Sequence, residues 1–434
     1  MARSRRSIPG PTTITSGLRE FLATEVAGGF LLVVAATAAL VWVNSPWEGS
    51  YYRLWHTDLT FTLGSWSLGL DLQHWVNEGL MAIFFFVVGL EVKRELLEGE
   101  LRDPSRAALP VVAAVGGMAV PALLYLLFNA GGPGGRGWGI PMATDISFAL
   151  GVAAIIGRSL PSSLRLFLLT LAIVDDIGAI IVIAVFYSGG IDWQWATAAV
   201  GVLAVTWTLR QMGILSTPLF AGLGCVLWLT VHGSGLHATL AGVAMGFLAP
   251  SRPVLSREII LSRTDELLDV FSSEAAHTTS RLARRAVSQL EWLLHMLHPW
   301  TSLVIVPIFA LANAGVPLSG PALGDSMSSP VAWGVFVGLV LGKTVGITLF
   351  AWFGCRLGLT ALPGGVTWTQ LAGVATLGGI GFTVSLFVTG LAFDEPSLVN
   401  EARIGILAAS LLASGVGAAI LVAARRRLDS QLSG

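Results

Sequence analysis

The chain is written mostly in long apolar runs, each close to the length that crosses a bilayer, separated by short polar stretches. A spanning helix takes about 20 residues. Runs of that kind lie near 24–43, 73–92, 107–128, 137–157, 162–187, 194–211, 216–231, 235–249, 289–313, 331–354, 370–392 and 399–424. The pattern predicts about twelve spanning helices. Because the runs are continuous rather than alternating, a transmembrane β-barrel is excluded. The first run follows Arg3, Arg5 and Arg6 and ends in an Ala-rich stretch, as a secretory signal does. From Val26 to Val43 it exceeds the usual signal core, so it is read as a retained helix.

Two stretches depart from this rhythm. Leu59 to Leu70 alternates apolar and small polar residues around Gly64-Ser65, the pattern of a two-residue β-hairpin turn, with an ordinary loop as the competing reading. Ser251 to Leu290 is charged and carries Leu267, Leu268, Phe271, Leu282 and Val287 at loosely helical spacing. That spacing fits a surface helix, and a solvated linker is the alternative.

Composition agrees. Of 434 residues, 54% are apolar and 12% charged, and the mean hydropathy is +0.75, which is not the balance of a soluble domain. A net charge of −1 gives no nucleic-acid footprint. Cys225 and Cys355 both lie inside apolar runs, where a thiol behaves as a small hydrophobe, so neither a disulfide framework nor a metal cluster is implied. Of the 25 basic residues, all but Arg53, Arg136, Arg403 and Lys343 fall on one side when the N-terminus is taken as cytoplasmic. By the positive-inside rule both termini are then cytoplasmic. The expected organisation is a tail over 1–23, a membrane domain over 24–424 and a tail over 425–434, with an outer loop and hairpin at 44–72 and a cytoplasmic loop at 250–288.

Charges at membrane depth cost at least about 2.5–3.5 kcal/mol each and ask for a function and a partner. Here they are Asp145, the adjacent Asp175 and Asp176, and Lys343. Adjacent residues on a helix project about 100° apart, so one aspartate can meet Lys343 while the other faces a different environment. Buried carboxylates near like charges bind protons more readily, and their oxygens also suit a small alkali cation. Such a group can exchange one occupant for the other when access alternates. A mutually neutralising network is the bland reading, but three acids against one amine leave excess charge. An aspartyl protease needs two carboxylates sharing a proton, which adjacent Asp175 and Asp176 do not supply, although Asp145 with one of them could.

The residues Gly139-Ile140-Pro141 through Asp145, and Gly378-Gly379-Ile380-Gly381, put helix breakers into the fourth and eleventh runs. Each of these runs is the second of a three-segment group. Unwound ends there leave half-helix dipoles, with Asp145 suited to the positive ends and Lys343 to the negative ones. Together with Gly79-Leu80-Met81-Ala82, Val88-Gly89-Leu90-Glu91-Val92-Lys93-Arg94-Glu95-Leu96, Ala143-Thr144-Asp145, Ile173-Val174-Asp175-Asp176, Gly235-Leu236-His237-Ala238-Thr239-Leu240-Ala241-Gly242, His298-Pro299-Trp300, Ala312-Asn313-Ala314-Gly315 and Gly342-Lys343, the chain resembles the bacterial sodium/proton antiporters of the NhaA type. That family is itself a standard example of inverted repeats with broken helices at the midplane.

The resemblance implies an all-α polytopic fold of inverted repeats with two interrupted, crossing helices. It also implies electrogenic exchange of cytoplasmic Na+ or Li+ for external H+. It makes Asp176 the principal cation and proton ligand, and Asp175 the partner of Lys343 and a second cation and proton carrier. Thr144 adds a hydroxyl ligand, and Asp145 balances helix ends. Glu91, Arg94 and Glu95 match a cytoplasmic cluster of pH response, with a charged helix cap as the alternative. His237 matches a position of pH response or of structural hydrogen bonding, and Glu78 matches an acidic position at the outer start of its helix. The family commonly carries an acid directly before the histidine that precedes His298-Pro299-Trp300. Here Leu294 precedes His295, and Glu291, one turn back, is the nearest acid. A homodimer through the hairpin, an inner-membrane location and no organic cofactor are expected. A sodium-coupled solute symporter and a membrane protease are the rival classes.

Overall fold

The computed structural model describes residues 12–64, 66–156, 161–214, 216–251 and 288–432. It divides into two compact units, one of Met1–Val76, Pro104–Val182 and Ser302–Gly434, the other of Asn77–Asp103 and Ile183–Thr301. The helices are α1 (Thr12–Val43), α2 (Glu48–Trp55), α3 (Leu72–Glu98), α4 (Pro104–Asn129), α5 (Ile146–Ile156), α6 (Ser162–Phe186), α7 (Trp193–Gln211), α8 (Thr217–Gly233) and α9 (Thr239–Leu248). Further along the chain come α10 (Gln289–Asn313), α11 (Gly320–Ser328), α12 (Pro330–Arg356), α13 (Trp368–Leu377), α14 (Phe382–Ala392) and α15 (Pro396–Leu432). A 3-10 helix, Pro133–Met142, precedes α5.

Among the described residues, seven helices are long and apolar enough to cross a membrane, and up to nine if each of two bent pairs is one span. The bent pairs are Pro133–Met142 with α5 and α13 with α14, each turned by 47° at its break. They coincide with the two runs the glycines and prolines interrupt. The 194–211 run is helical as α7 (Trp193–Gln211), but it carries Trp193, Trp195 and Trp207 with Gln194, Arg210 and Gln211 and is not among the candidate spans. The runs at 216–231 and 235–249 form the shorter apolar helices α8 and α9. The helical reading of 251–290 falls mainly on residues 252–287, outside the described residues.

The hairpin is present. Strand β1 (Asp58–Leu63) pairs antiparallel with β2 (Trp66–Asp71) in a register from Asp58↔Asp71 to Leu63↔Trp66. Gly64 takes φ +64, the left-handed conformation such a turn requires. Trp75 Nε1 donates to the Leu59 carbonyl at 3.0 Å, tying the strand to the start of α3. Behind it, the Tyr51 hydroxyl donates to the carbonyls of Leu311 and Ala312 at 2.9 and 3.0 Å, satisfying the C-terminal end of α10. Burial pushes this phenol up to about 12, so it remains a donor at physiological pH.

In the second unit, α3 and α9 meet through small residues. A Cβ on Gly89 would stand 2.8 Å from the Val243 carbonyl oxygen, and one on Gly246 2.7 Å from that of Phe86. In lipid, where apolar burial does not drive helices together, such close backbone approach supplies the packing. Leu290 N–H donates to the Pro250 carbonyl at 3.0 Å, and Leu290 packs with Val87, Leu90, Ala249, Leu293 and Leu294. Pro250 and Leu290, which flank the charged 251–288 stretch, therefore sit side by side. Three wider π-turns lie within helices, at Trp75–Leu80, Thr301–Ile305 and Gly338–Gly342, the last directly before Lys343. In the first, Trp228 Nε1 donates to the Glu78 carbonyl at 2.9 Å, occupying a group such a turn displaces from the helix ladder.

Candidate ion-binding site

The first unit brings the intramembrane charges together where its two broken helices meet. Backbone groups at both breaks are met by polar partners. Asp145 N–H donates to the Ile380 carbonyl at 2.7 Å. Asp145 Oδ1 accepts from Phe148 N–H at 2.9 Å, and Oδ2 accepts from the Thr383 N–H at 3.1 Å and hydroxyl at 2.6 Å. One carboxylate thus caps the positive starts of both α5 and α14. The opposite ends are met by hydroxyls. Ser385 donates to the Ile140 carbonyl at 2.7 Å, and Thr144 lies 2.9 Å from the Gly378 carbonyl.

Thr144 also reaches Asp175 Oδ2 at 2.8 Å, so its one proton serves two acceptors. The same Asp175 oxygen accepts from Lys343 Nζ at 2.6 Å, and both side chains are 0% exposed. The other oxygen, Asp175 Oδ1, is buried with no hydrogen-bond partner among the described residues. Asp176, next on α6, is also buried, and the helix turns it to a different azimuth. Lys343 is delivered by close packing of α12 on α4. A Cβ on Gly342 would stand 2.8 Å from Pro121 Cα, and Gly117 faces the Lys343 stem. Chemically, the arrangement is two dry aspartates, a hydroxyl and a counter-cation beside two opposed helix breaks, a set able to hold a proton or a small hard cation.

The remaining candidates lie in the second unit. Glu91 Oε1 stands 3.7 Å from His298 Nε2, with both side chains largely buried. Glu95 is buried and accepts from Glu100 N–H at 2.7 Å, closing the end of α3, while Arg94 forms no ion pair among the described residues. His237 Nε2 lies 2.8 Å from the Tyr187 carbonyl, and since a carbonyl only accepts, this nitrogen carries the proton. Glu291 and His295 are both exposed on α10 without an ion pair between them, and Leu294 is buried in the cluster with Val87 and Leu90.

Sequence reasoning missed several partners. Thr383 and Ser385 are neutral and inconspicuous in an apolar run. The link of His298 to Glu91 is long-range. Lys93, near the charged end of α3, donates to the Phe247 carbonyl at 2.6 Å and to that of Ala249, capping the C-terminus of α9. A lysine one residue inside the charged end of an apolar helix was the available signal.

Buried charges at the junction of broken apolar helices, in a chain of long apolar helices, define a multi-pass membrane protein. Residues 19–421 match the family described as Na+/H+ antiporter 1, and the chain belongs to that family. It is 45% identical over 412 residues to an Na(+)/H(+) antiporter NhaA of Rhodopirellula baltica, covering 93% of this chain and 92% of that one. It is 43% identical over 429 residues to one of Koribacter versatilis, covering 97% and 94%. It is 44% identical over 418 residues to one of Janthinobacterium, covering 93% and 92%.

Proposed function

We propose that this protein is a secondary active transporter that exports cytoplasmic Na+ or Li+ in exchange for external H+. The observation that carries the reading is the buried Asp175–Asp176 pair beside Thr144 and Lys343, with one Asp175 oxygen unengaged. Asp176 is the principal ligand for the cation and the proton. Asp175, released from Lys343, is a second carrier, which makes the exchange electrogenic. Thr144 contributes a hydroxyl oxygen, while Asp145 and Lys343 balance charge around the breaks. A carboxylate in a dry site binds a proton or a sodium ion but not both, so alternating access couples the two gradients. No organic cofactor is required, because the ion gradients supply the work.

The finer architecture belongs to the same proposal. The nine long or bent spans and α7, α8 and α9 make twelve, arranged as inverted repeats with the two bent pairs crossing. Residues 1–23 and 425–434 are cytoplasmic tails, 44–72 an outer loop and 250–288 a cytoplasmic loop of an inner-membrane protein. The hairpin is the contact of a homodimer. Glu91, Arg94, Glu95, His237, Glu291 and His295 are assigned to the pH response, and the Glu91–His298 pair supports that assignment best.

Everted vesicles with an acid interior test the function. Na+ or Li+, but not K+, should dissipate the pH gradient without any organic solute, and Asp176→Asn should abolish this while the protein still assembles. Wild-type rates in that variant overturn the assignment, a requirement for an organic solute indicates symport, and cleavage of a peptide indicates a protease.

A further inference from the structure

The second unit holds a carboxylate and an imidazole that the exchange reading leaves unused. Glu78 sits in the π-turn Trp75–Leu80, and α8 grips it twice. Trp228 Nε1 donates to the Glu78 carbonyl at 2.9 Å, and one turn further along α8 His232 Nδ1 stands 3.4 Å from Glu78 Oε2. The imidazole also lies flat on the Trp228 indole, with the rings inclined by 5° and their centroids 5.4 Å apart. An ionised carboxylate only accepts, so Nδ1 carries a proton, and a second proton on Nε2 makes the ring a cation. Both neighbours hold that cation more strongly than the neutral ring, the carboxylate through its charge and the indole face through its quadrupole. Side-chain exposures of 31% for His232 and 22% for Glu78 leave the pair incompletely enclosed. The elements around this end of α8 carry further titratable side chains. Asp192 caps the start of α7, accepting from Gln194 N–H at 2.8 Å, and its own N–H donates to the Ser234 carbonyl at 3.0 Å. His237 meets the Tyr187 carbonyl before α9, Cys225 lies two turns back on α8, and His74, one turn before Glu78 on α3, is held on Asp71 at 2.6 Å. Beyond Glu78 the next ionisable residue of α3 is Glu91, about 20 Å further along the helix. Arg210 stands at the opposite end of α7.

We propose that His232, Glu78 and Trp228 form a proton-dependent latch that fastens α8 to the π-turn of α3. Its sidedness rests on the topology proposed above, which puts the latch on the outer face, where it reads external protons. With the ring charged, α8 holds Glu78 by an ion pair at the carboxylate and a hydrogen bond at the carbonyl. With the ring neutral, the ion pair and the cation–π contact are lost, and the indole alone retains the carbonyl. The latch is therefore closed in acid and loosens as pH rises through about 6–7, the range in which an imidazole ordinarily gives up its second proton. The π-turn departs from the regular ladder, so α8 grips α3 where that helix holds its own shape least.

The test is hydrogen exchange on the full chain in lipid nanodiscs, with protection factors over 77–82 and 228–233 compared at about pH 5.5 and about pH 8. In the wild type, protection should be about fivefold higher in acid, the worth of one partly exposed ion pair with a cation–π contact. His232→Gln, which cannot take the charge, and Glu78→Gln, which removes the carboxylate, should each make protection equal at the two values, and either serves if the other does not assemble. His232→Lys, charged at both values, should give acid-like protection throughout. Trp228→Phe loses the Nε1 donor but keeps an aromatic face, so protection should fall at both values while the difference between them persists. A merely structural contact would change protection equally in acid and in base. Cys225, His74, Tyr187, Asp192 and His237 remain in every variant, so none of them accounts for a difference among these chains. Equal protection at the two values in the wild type, or the wild-type difference in His232→Gln, overturns the latch. The measurement needs no transport, so antiport and the latch fail separately.

Discussion

Replacing Lys343 by methionine probes the electrostatic logic of the site most directly, because methionine retains much of the stem and loses only the charged head. Nζ lies 2.6 Å from Asp175 Oδ2 with both side chains fully buried. At that separation two unit charges attract by about 6 kcal/mol for an effective dielectric near 20. Desolvation of both ions offsets part of this, and breaking one partner of a buried pair typically costs about 3–5 kcal/mol. Thr144 would remain as a donor to Asp175, which points to the lower part of that range. For a chain of 434 residues the expected fall in melting temperature is about 3–4 °C, read by scanning fluorimetry on the purified protein. The double variant Asp175→Asn, Lys343→Met carries neither charge and should recover most of the loss, since replacing a whole buried pair is often near neutral. A single variant that melts with the wild type, or a double variant that melts below the single one, refutes the pairing as the source of stability.

Asp145→Ala should strip caps from α5 and α14 at once and cost roughly 2–4 kcal/mol, as two lost caps of about 1–2 kcal/mol each. Faster amide exchange in the first turns of both helices would confirm it, and a change confined to α5 would contradict the shared cap. Lys93→Met leaves the carbonyls of Phe247 and Ala249 without their ammonium donor, a loss of about 1–3 kcal/mol; unchanged protection at the end of α9 would show that the cap is dispensable. At the base of the hairpin, burial pushes the Asp71 carboxyl up, but hydrogen bonds from the His74 backbone and ring and from His56 outweigh it and hold it below the usual range. A depressed carboxyl contributes stability above its unfolded value near 4 and loses it as pH falls through the folded one. Hairpin amide protection should therefore be level from neutral pH to about 5 and fall below about 4, and Asp71→Asn should flatten this dependence.

Much of this was legible in the chain because lipid imposes a coarse grammar. Runs such as 107–128 and 162–187 have no plausible fate but a helix, and Pro141 or Gly378-Gly379 interrupts such a helix visibly. Asp145, Asp175, Asp176 and Lys343 stood out because charge in an apolar run is conspicuous. What pairs with them was less legible. Thr383 is 238 residues from Asp145 and neutral, so neither composition nor local spacing marks it. Glu25 reads as the edge of a charged tail until Ser302, 277 residues away, is seen against it. The π-turns use the same residue types as the helices around them, so nothing in the pattern announced the one before Lys343. Glu291 and His295, one turn apart on α10, are both exposed.

The backbone bond from Leu290 to Pro250 has a practical corollary for anyone wishing to watch this transporter at work. The chain leaves and re-enters the bundle across a gap already bridged, so whatever length is spliced between Ser251 and Ser288 begins and ends at neighbouring anchors. A fluorescent reporter inserted there should ride on α9 and α10 without prying them apart, and exchange should proceed beneath it.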